Sequence, residues 1–247
     1  MNALATPTRP AKADTANATH FCMCITPSNI PEEEERALQG GKAALLNAYR
    51  WPIGSTIKLR FMEGPTALRE RVRQAAEKWI APSMAKLQFS WLGAGDADVR
   101  IAFQQGDGSW SYIGTYSRQI PKNEPTMNFG WLDSGSTDRE IREVVLHEVG
   151  HAIGLIHEHQ NPQHAIDWNK AAVRRDLSGP PNNWDDDTIE HNMFERYDPA
   201  KLTATRVDRK SIMMYPIPRT WTLDGFSSGM NTSLSSGDRR LIRKVYR

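Results

Sequence analysis

The chain has 247 residues, of which 39% are hydrophobic and 24% are charged, as in a folded globular protein of one domain or two lobes. Its net charge of +2 gives no reason to expect a nucleic acid partner. No segment has the length and apolarity of a membrane span, and residues 1–20 lack the apolar core of a secretory signal. Two cysteines do not make a disulfide framework.

The N-terminal part of the chain is polar and lacks the apolar periodicity of the rest. Residues 1–49 are predicted to be an extension that is disordered or similar to a pro-segment, with one helical stretch near residues 32–49. A globular domain is predicted over residues 50–247, beginning near Trp51.

Alternation of apolar and polar residues predicts four strands in the first half of this domain. Their apolar positions are Ile57, Leu59 and Phe61; Leu87, Phe89 and Trp91; Val99, Ile101 and Phe103; and Met127, Phe129 and Trp131. Between the first two strands, apolar residues recur at helical spacing over residues 68–80, and Pro82 ends the run. This order predicts an α+β domain with a twisted sheet covered on one face.

A fifth segment, Ser109, Trp110, Ser111 and Tyr112, allows two interpretations. It is either an edge strand at the rim of a cleft or an ordinary aromatic loop. An edge strand leaves backbone groups unpaired, and these can hydrogen-bond an extended segment of another chain, whatever that segment's sequence.

A second long helix is predicted to begin at Thr137, because Thr137 and Glu140 have the spacing of a capping box. Apolar residues at positions 141, 144, 145, 149 and 152 form its buried stripe. His147 and His151 are one turn apart, so their rings project from the same face of the helix.

Residues 147–157 read H-E-V-G-H-A-I-G-L-I-H, a pattern that predicts one catalytic zinc ion. Gly154 can end the helix with a positive φ, which lets the chain return His157 as a third ligand beside His147 and His151. Three histidine ligands leave a fourth position for water, as catalytic zinc sites do. Glu148 is placed to take a proton from that water without binding the metal. The alternative is a solvent-facing helix that happens to be rich in histidine.

The remainder of the chain has weaker periodicity. Short helices are predicted near residues 169–177 and 188–197, and a last helix after the Ser-Ser-Gly-Asp sequence at 235–238. The sequence therefore predicts a second, irregular lobe after the zinc motif.

The extended motif resembles the signature of the metzincin zinc endopeptidases, and residues 211–215 (S-I-M-M-Y) resemble their Met-turn. Glu158 directly after the third histidine, and Tyr215 two residues after Met213, are similar to the astacin family, especially its bacterial and fungal members. The resemblance covers residues 147–158 and 211–215, with a looser similarity of layout from about residue 50 onward.

This resemblance implies a metzincin-like α+β fold, with a twisted mixed sheet and two long helices in an upper lobe of about residues 50–154. A mostly helical lower lobe of about residues 155–247 would follow, with the zinc cleft between the lobes and Gly154 at their boundary. Met213 would lie beneath the zinc as an apolar floor. Tyr215 would be a metal ligand or a hydroxyl that swings to stabilise the oxyanion.

Plain packing is the alternative for Met213, and a buried phenol bonded to backbone is the alternative for Tyr215. The chain departs from the usual astacin pattern at Leu155, at Met214 and in the His-Gln-Asn-Pro sequence at 159–162. In animal astacins the glutamate at the position of Glu158 pairs with the freed N-terminus.

Two further residue sets suggest finer functions. Arg219, in the segment after the Met-turn, is predicted to favour an acidic substrate residue after the cleaved bond. Cys22 or Cys24 could supply a thiolate to the open zinc position and keep the enzyme latent, or both are incidental reduced thiols.

The sequence thus predicts a zinc-dependent endopeptidase in which Glu148 activates the attacking water. One alternative is a latent proenzyme silenced by an N-terminal cysteine, and another is a binding protein that keeps zinc without catalysis. The expected partner is a protein or peptide substrate, with no nucleic acid, no membrane and no second copy of the chain. Secretion is implied by the family resemblance, although no signal peptide is visible in the sequence.

Overall fold

The computed structural model describes residues 20–26, 43–161, 166–196, 202–203 and 207–247. The strands in these residues are β1 (Met23–Ile25), β2 (Ala43–Leu46), β3 (Thr56–Phe61), β4 (Gln88–Trp91), β5 (Val99–Ala102), β6 (Ser109–Tyr112), β7 (Met127–Phe129) and β8 (Leu202–Thr203). The α-helices are α1 (Thr66–Ala76), α2 (Asp138–Ala152), α3 (Lys170–Leu177), α4 (Asp186–Ile189) and α5 (Ser236–Val245). None of the helices in this part of the chain combines the length and apolarity needed to cross a bilayer.

Six of the described strands form one mixed sheet in the order β1-β6-β7-β5-β3-β4. β3 pairs in parallel with β4 and β5, and β5 pairs in parallel with β7. β6 runs antiparallel to β7 and parallel to β1. The four predicted strands are confirmed as β3, β4, β5 and β7, and the aromatic segment is a strand rather than a loop. Because β1 lies outside β6, the N-terminal segment occupies this edge of the sheet.

The core lies between this sheet and the two long helices. In β3, Ile57 and Leu59 are 1% exposed, whereas Lys58 between them faces solvent. Leu68 and Val72, one turn apart on α1, are buried in the same cluster. The strand period of two and the helix period of 3.6 therefore bring the predicted apolar positions into one core.

Helix α2 begins at the predicted capping box. The Glu140 N–H donates to Thr137 Oγ1 at 3.3 Å, and the Thr137 N–H donates to the Glu140 carboxylate at 2.6 Å. The buried stripe packs against α1 and the sheet as predicted. These two signals fix where the helix starts and which face it buries.

The C-terminal end of α2 is held by side chains from the two ends of the globular domain. Trp51 Nε1 donates to the Ala152 carbonyl at 2.8 Å, and the Tyr246 hydroxyl donates to the Ile153 carbonyl at 2.6 Å. Both carbonyls lie in the last turn, where a helix leaves its own acceptors unpaired. The zinc-motif helix is therefore fixed at the end from which its ligands project.

A second apolar cluster lies in the part of the chain after the motif. It contains the buried faces of α3 and of the turn that follows α4, together with Tyr215 and Trp221. The last helix, α5, packs instead on the first cluster through Leu241, Ile242 and Val245. The last helix therefore contributes to the same core as the sheet and the two long helices.

Several details differ from the sequence predictions. The helical stretch predicted near residues 32–49 is wrong at Ala43–Leu46, which is strand β2 paired with β8, and residues 27–42 lie outside the described residues. Residues 23–25, for which no strand was predicted in the polar N-terminal extension, form β1, while residues 1–19 lie outside the described part. The predicted helix near 188–197 is α4 continued by a π-helical turn, Glu190–Phe194, and Tyr197 is not described.

Candidate metal centre

Helix α2 and the bend after it bring three imidazole rings together. Gly154 has a φ of +99°, the left-handed conformation predicted for it, and the chain reverses there to return His157. The Nε2 atom of His151 lies 3.2 Å from the Nε2 atoms of both His147 and His157. Among the described residues, these three are the one group of His, Cys, Asp or Glu side chains close enough to share a metal ion.

The other nitrogen of each ring is fixed by an oxygen acceptor. His147 Nδ1 donates to the Ile212 carbonyl at 2.9 Å, and His151 Nδ1 donates to the Leu155 carbonyl at 2.8 Å. His157 Nδ1 contacts the side-chain oxygen of Gln160 at 3.2 Å. Since a carbonyl oxygen only accepts, each ring carries its proton on Nδ1 and presents an Nε2 lone pair to the centre.

The three rings fit a zinc ion in charge and in spacing. Burial lowers the pKa of His147 to about 4 and lowers the pKa values of His151 and His157 well below their usual range, so all three are neutral donors. A tetrahedral ion with Zn–N bonds of about 2.0–2.1 Å separates its ligand nitrogens by roughly 3.3 Å. The two 3.2 Å separations agree with that value.

Glu148 lies beside this cluster and is fully buried. Neither of its carboxylate oxygens has a hydrogen-bond partner among the described residues. Burial raises its pKa well above the usual range, and the nearby thiol of Cys22 lowers the pKa in part. A buried carboxylate without partners is costly, so its position indicates a polar group or water that belongs at the centre.

The segment that resembles a Met-turn, residues 211–215, is held by a buried acid. Asp238, at the start of α5, accepts from the Ser211 hydroxyl at 2.6 Å and from the Ile212 N–H at 3.0 Å. Met213 then packs against α2 at Gly150, where a side chain would bring a Cβ within 2.3 Å of the Met213 sulfur. The absence of a side chain at Gly150 therefore allows Met213 to pack against α2 at this position.

Tyr215 and Glu158 flank the centre. The Tyr215 ring lies 4.3 Å from that of His157, and its hydroxyl donates to the carbonyl of Cys22. Burial raises the pKa of Tyr215 well above its usual range, which keeps the hydroxyl a donor. The Glu158 carboxylate accepts from the Asp208 N–H at 2.9 Å, and burial raises its pKa to about 8.

The N-terminal segment, residues 20–26, crosses the cleft in front of these residues. Cys22 lies opposite Glu148, and desolvation, then Glu148, raises the pKa of its thiol. Cys24 also lies on this strand, but it packs in a small apolar cluster with Tyr49 and Ile113. Both cysteines are buried and free. The structure thus separates the two cysteines, which the sequence analysis could not.

The segment is anchored by Phe21, which is 5% exposed. Its ring lies 5.1 Å from that of Tyr215 and 5.3 Å from that of Trp221. The Phe21 N–H donates to Asn182 Oδ1 at 3.0 Å, and the Cys24 N–H donates to an asparagine of the π-helical turn. These contacts place the segment in the cleft through residues of the second cluster.

The predicted substrate residues lie in two places. Ser109, Trp110 and Ser111 are buried in β6, and Tyr112 at its end is half-buried. Trp110 and Tyr112 pair with β1 in register with Met23 and Ile25. Arg219 is exposed on the 3₁₀ turn Arg219–Trp221.

Four residues that build the site were not predicted from the sequence: Gln160, Gly150, Asp238 and Phe21. Gln160 and Gly150 lie within or beside the motif, but their partners are distant or on another element. Asp238 was assigned only to the start of a helix, and Phe21 to a polar lead-in. No local pattern identifies a residue whose role depends on a partner far along the chain.

A family model described as Astacin, a peptidase family, matches residues 45–246. A solved structure of myroilysin superposes with a TM-score of 0.79 at 39% sequence identity, covering 82% of this chain and 97% of that chain. High choriolytic enzyme 1, a hatching enzyme zinc-protease from Oryzias latipes, superposes with a TM-score of 0.51 at 15% identity, covering 84% of this chain and 98% of that one. At that identity the likeness concerns the fold alone.

Two curated relatives are similar at lower identity. Blastula protease 10 of Paracentrotus lividus is 24% identical over 222 residues, which is 87% of this chain and 32% of the relative. Protein SpAN of Strongylocentrotus purpuratus is 24% identical over 236 residues, which is 87% of this chain and 34% of the relative. The chain therefore spans about a third of the length of these two proteins.

Proposed function

Because this chain belongs to the astacin family of peptidases, we propose that it is a zinc-dependent endopeptidase whose general base is Glu148. The observation that carries the proposal is the convergence of three Nε2 atoms beside a buried carboxylate that has no partner among the described residues. A structural zinc site has no need for such a carboxylate, whereas hydrolysis needs a proton acceptor beside the metal.

His147, His151 and His157 would hold the ion. Bound there, zinc supplies a Lewis acid for the peptide carbonyl and lowers the pKa of water to near neutrality. Glu148 takes the proton of the attacking water and returns it to the leaving amine, so that no covalent enzyme intermediate is needed. Its buried setting favours this work, because burial raises the pKa of a carboxyl toward the pH at which it must both accept and donate a proton.

Tyr215 is the proposed donor to the oxyanion. Its hydroxyl donates to the Cys22 carbonyl, so a carbonyl oxygen already lies where its proton points. When a substrate replaces the N-terminal segment, the same hydroxyl is available to the carbonyl of the bond under attack. We keep direct metal binding by Tyr215 as the alternative role.

The backbone of β6 is the proposed substrate edge. The pairing of β1 with Ser109–Tyr112 supports this role, because β1 is an extended chain that β6 accepts beside the centre. A bound peptide gains backbone hydrogen bonds that do not depend on its sequence. The active enzyme must therefore first release β1.

We propose that the full-length chain is latent and that residues 20–26 are an inhibitory segment, with Cys22 as the residue that faces the metal centre. Three features support it: β1 covers the substrate edge, Phe21 fills an aromatic site and the Cys22 carbonyl binds Tyr215. The Cys22 thiol lies against Glu148, where a substrate bond would be cleaved. Burial, then Glu148, raises the pKa of the Cys24 thiol as well, but this thiol packs in the apolar cluster with Tyr49 and Ile113.

Catalysis is tested by replacing Glu148 with alanine. In the background of Phe21→Ala and Cys22→Ser, which weaken the hold of the N-terminal segment, we expect Glu148→Ala to keep one zinc per chain. Its kcat should fall at least about a thousandfold below that of this background, since both the general base and its charge are removed. His147→Ala is the matched control, which should lose the metal as well as the activity. A Glu148→Ala protein that cleaves peptides at the unaltered rate would end the assignment. Full zinc content without cleavage in any processed form would favour the binding-protein alternative.

Latency is tested by replacing each cysteine separately with serine, so that each variant is the control for the other. Cys22→Ser in the full-length chain should raise its peptidase activity, and Cys24→Ser should not. A second measurement does not depend on turnover: the cobalt-substituted chain should have a thiolate-to-metal charge-transfer band that Cys22→Ser abolishes and Cys24→Ser retains. Equal behaviour of the two variants in both assays would contradict the role of Cys22.

We also propose, because the chain belongs to this family, that its substrates are proteins or peptides. On the same ground we propose that the chain is a monomer and that it is exported from the cell. Arg219 is exposed and is kept as a separate proposal for acidic residues after the cleaved bond. A cleavage-site profile without acidic preference, in the unaltered chain and in Arg219→Ala alike, would remove it.

A further inference from the structure

A pocket beside the metal centre has features that the catalytic role does not use. It is bounded by Glu143 and His147 of α2, by Trp131, and by the N-terminal residues His20 and Cys22. Met214 of the Met-turn and Pro216 directly after it also line the pocket. The pocket therefore opens on the same cleft as the bond to be cleaved.

Glu143 is the charged group of this pocket. It lies one helical turn before His147, so the two side chains share a face of α2. The Glu143 side chain is half-buried, and its carboxylate forms no hydrogen bond or ion pair with any described residue. Its charge reaches across the pocket to Cys22, where it contributes to the raised pKa of the thiol.

No cation among the described residues forms an ion pair with the Glu143 carboxylate. Burial, the largest influence, raises its pKa to about 7, while Arg139 on the preceding turn lowers the pKa and Glu140 raises it. A carboxylate in such a position is stabilised by a cation that enters from the cleft.

The same pocket is also lined by aromatic rings. The ring of His20 stacks on Trp131, with 4.9 Å between centroids and 29° between planes. Burial lowers the pKa of His20, which favours its neutral form. The imidazole therefore does not supply a positive charge to Glu143. An aromatic face with a carboxylate nearby is an arrangement that binds the charged head of lysine or arginine.

We propose that Glu143 and Trp131 form a subsite for a positively charged substrate side chain, and that the enzyme therefore prefers peptides with Lys or Arg close to the cleaved bond. The position lies on the side of the cleft that His20 now occupies, two residues from Cys22. The inference rests on the proposed peptidase function and deepens it. It names a substrate class and makes Glu143 a specificity-determining residue rather than a member of the proton-transfer machinery.

The test uses the full-length chain with Phe21→Ala and Cys22→Ser, which weaken the hold of the N-terminal segment. Peptides carry lysine, norleucine or glutamate at each position within three residues of one cleavable bond. At one position, kcat/KM for the lysine peptide should exceed that for the norleucine peptide by about tenfold or more. A ratio of this size corresponds to the net free energy of one hydrogen bond between charged groups.

Glu143→Gln should reduce this ratio to near one, and Glu143→Lys should reverse it in favour of glutamate. Glu143→Asp should keep part of the lysine preference, which a purely structural role would not predict. Glu70→Gln on α1 removes the same charge from an exposed helical site and is the matched control. A lysine preference that is equal in Glu143→Gln and in its parent, or absent from the parent, would overturn the proposal.

A binding measurement separates failure of this inference from failure of the proposed function. The same peptides are titrated against the chain that carries Glu148→Gln in the segment-weakened background, and dissociation constants are compared. Tighter binding of the lysine peptide that Glu143→Gln abolishes would support the subsite even if no variant cleaves. Equal binding of the lysine and norleucine peptides would refute it even if the chain is an active peptidase.

Discussion

Helix α2 and the N-terminal segment meet at Glu148, yet the chain encodes them in different ways. The helix is defined by signals within residues 137–157: a capping box, an apolar stripe, two histidines one turn apart and a glycine with positive φ. The segment is held by hydrogen bonds to residues 161 and 193 positions away along the chain. The catalytic constellation is thus local in sequence, whereas the proposed control over it is distant.

The largest effect that separates the two regions is expected from Phe21→Ala. Loss of a buried phenylalanine costs about 3–5 kcal/mol in a core, and here the loss falls on docking of the segment rather than on α2. Activity of the full-length chain should rise more than tenfold, and amide exchange should increase in β1 and β6. Met23→Ala, at a half-buried position of the same strand, should have a smaller effect.

The prediction fails if Phe21→Ala has the parent's low activity and its β6 amides exchange as slowly as in the parent. The segment would then not be held by Phe21. Reduced thermal stability of the whole domain would be a second contrary result, because Phe21 would then belong to the core of the domain.

A smaller effect is expected at Gln160, which joins the metal centre to the π-helical turn Glu190–Phe194. Its side-chain oxygen contacts His157, and its amide donates to the carbonyl of His191 at 2.6 Å. Gln160→Met, which keeps the shape and loses both bonds, should weaken zinc binding by about 10–100-fold. Gln160→Glu keeps an acceptor for His157 and should retain most of the affinity in a competition titration with a chelator. Equal affinity of both variants and the parent would remove Gln160 from the centre.

The smallest effect concerns the pH dependence of stability at Glu143. Its pKa rises from 4.5 in the unfolded chain to about 7, so its favourable contribution is complete below pH 4.5 and is lost as the pH rises through 7. The charged or titratable groups that act on it or share its pocket are Arg139, Glu140, His20, Cys22, His147 and Tyr215. Glu143→Gln should be more stable than the parent at pH 8 by about 1 kcal/mol, after allowance for solvent screening, and equal to it at pH 4. If the parent were the more stable of the two at pH 8, the conclusion that the Glu143 carboxylate is buried without an ion-pair partner would be wrong.

Much of the fold and of the metal centre followed from the sequence alone. The α+β class, the four strands, the capping box and the family are confirmed, because each depends on periodicity or spacing within one segment. The bend at Gly154 and the convergence of the three histidines follow from the same local logic.

Long-range contacts account for what could not be predicted. β1 was assigned to a polar lead-in, because its three residues have no pattern of their own and become a strand only by pairing with β6. Asp238 positions the Met-turn from another helix, 27 residues after its partner Ser211. Glu143 could have been found, since it precedes His147 by one turn and shares its helical face. Its significance depends on Trp131, which only the folded chain brings near.

Diffraction data collected at the zinc edge from crystals of the full-length chain would test the central claim most directly. The account predicts one anomalous peak within bonding distance of the Nε2 atoms of His147, His151 and His157, with Glu148 beside it and not coordinated. An anomalous map with no peak among these three nitrogens after zinc soaking, or a peak bound by the Glu148 carboxylate, would contradict it.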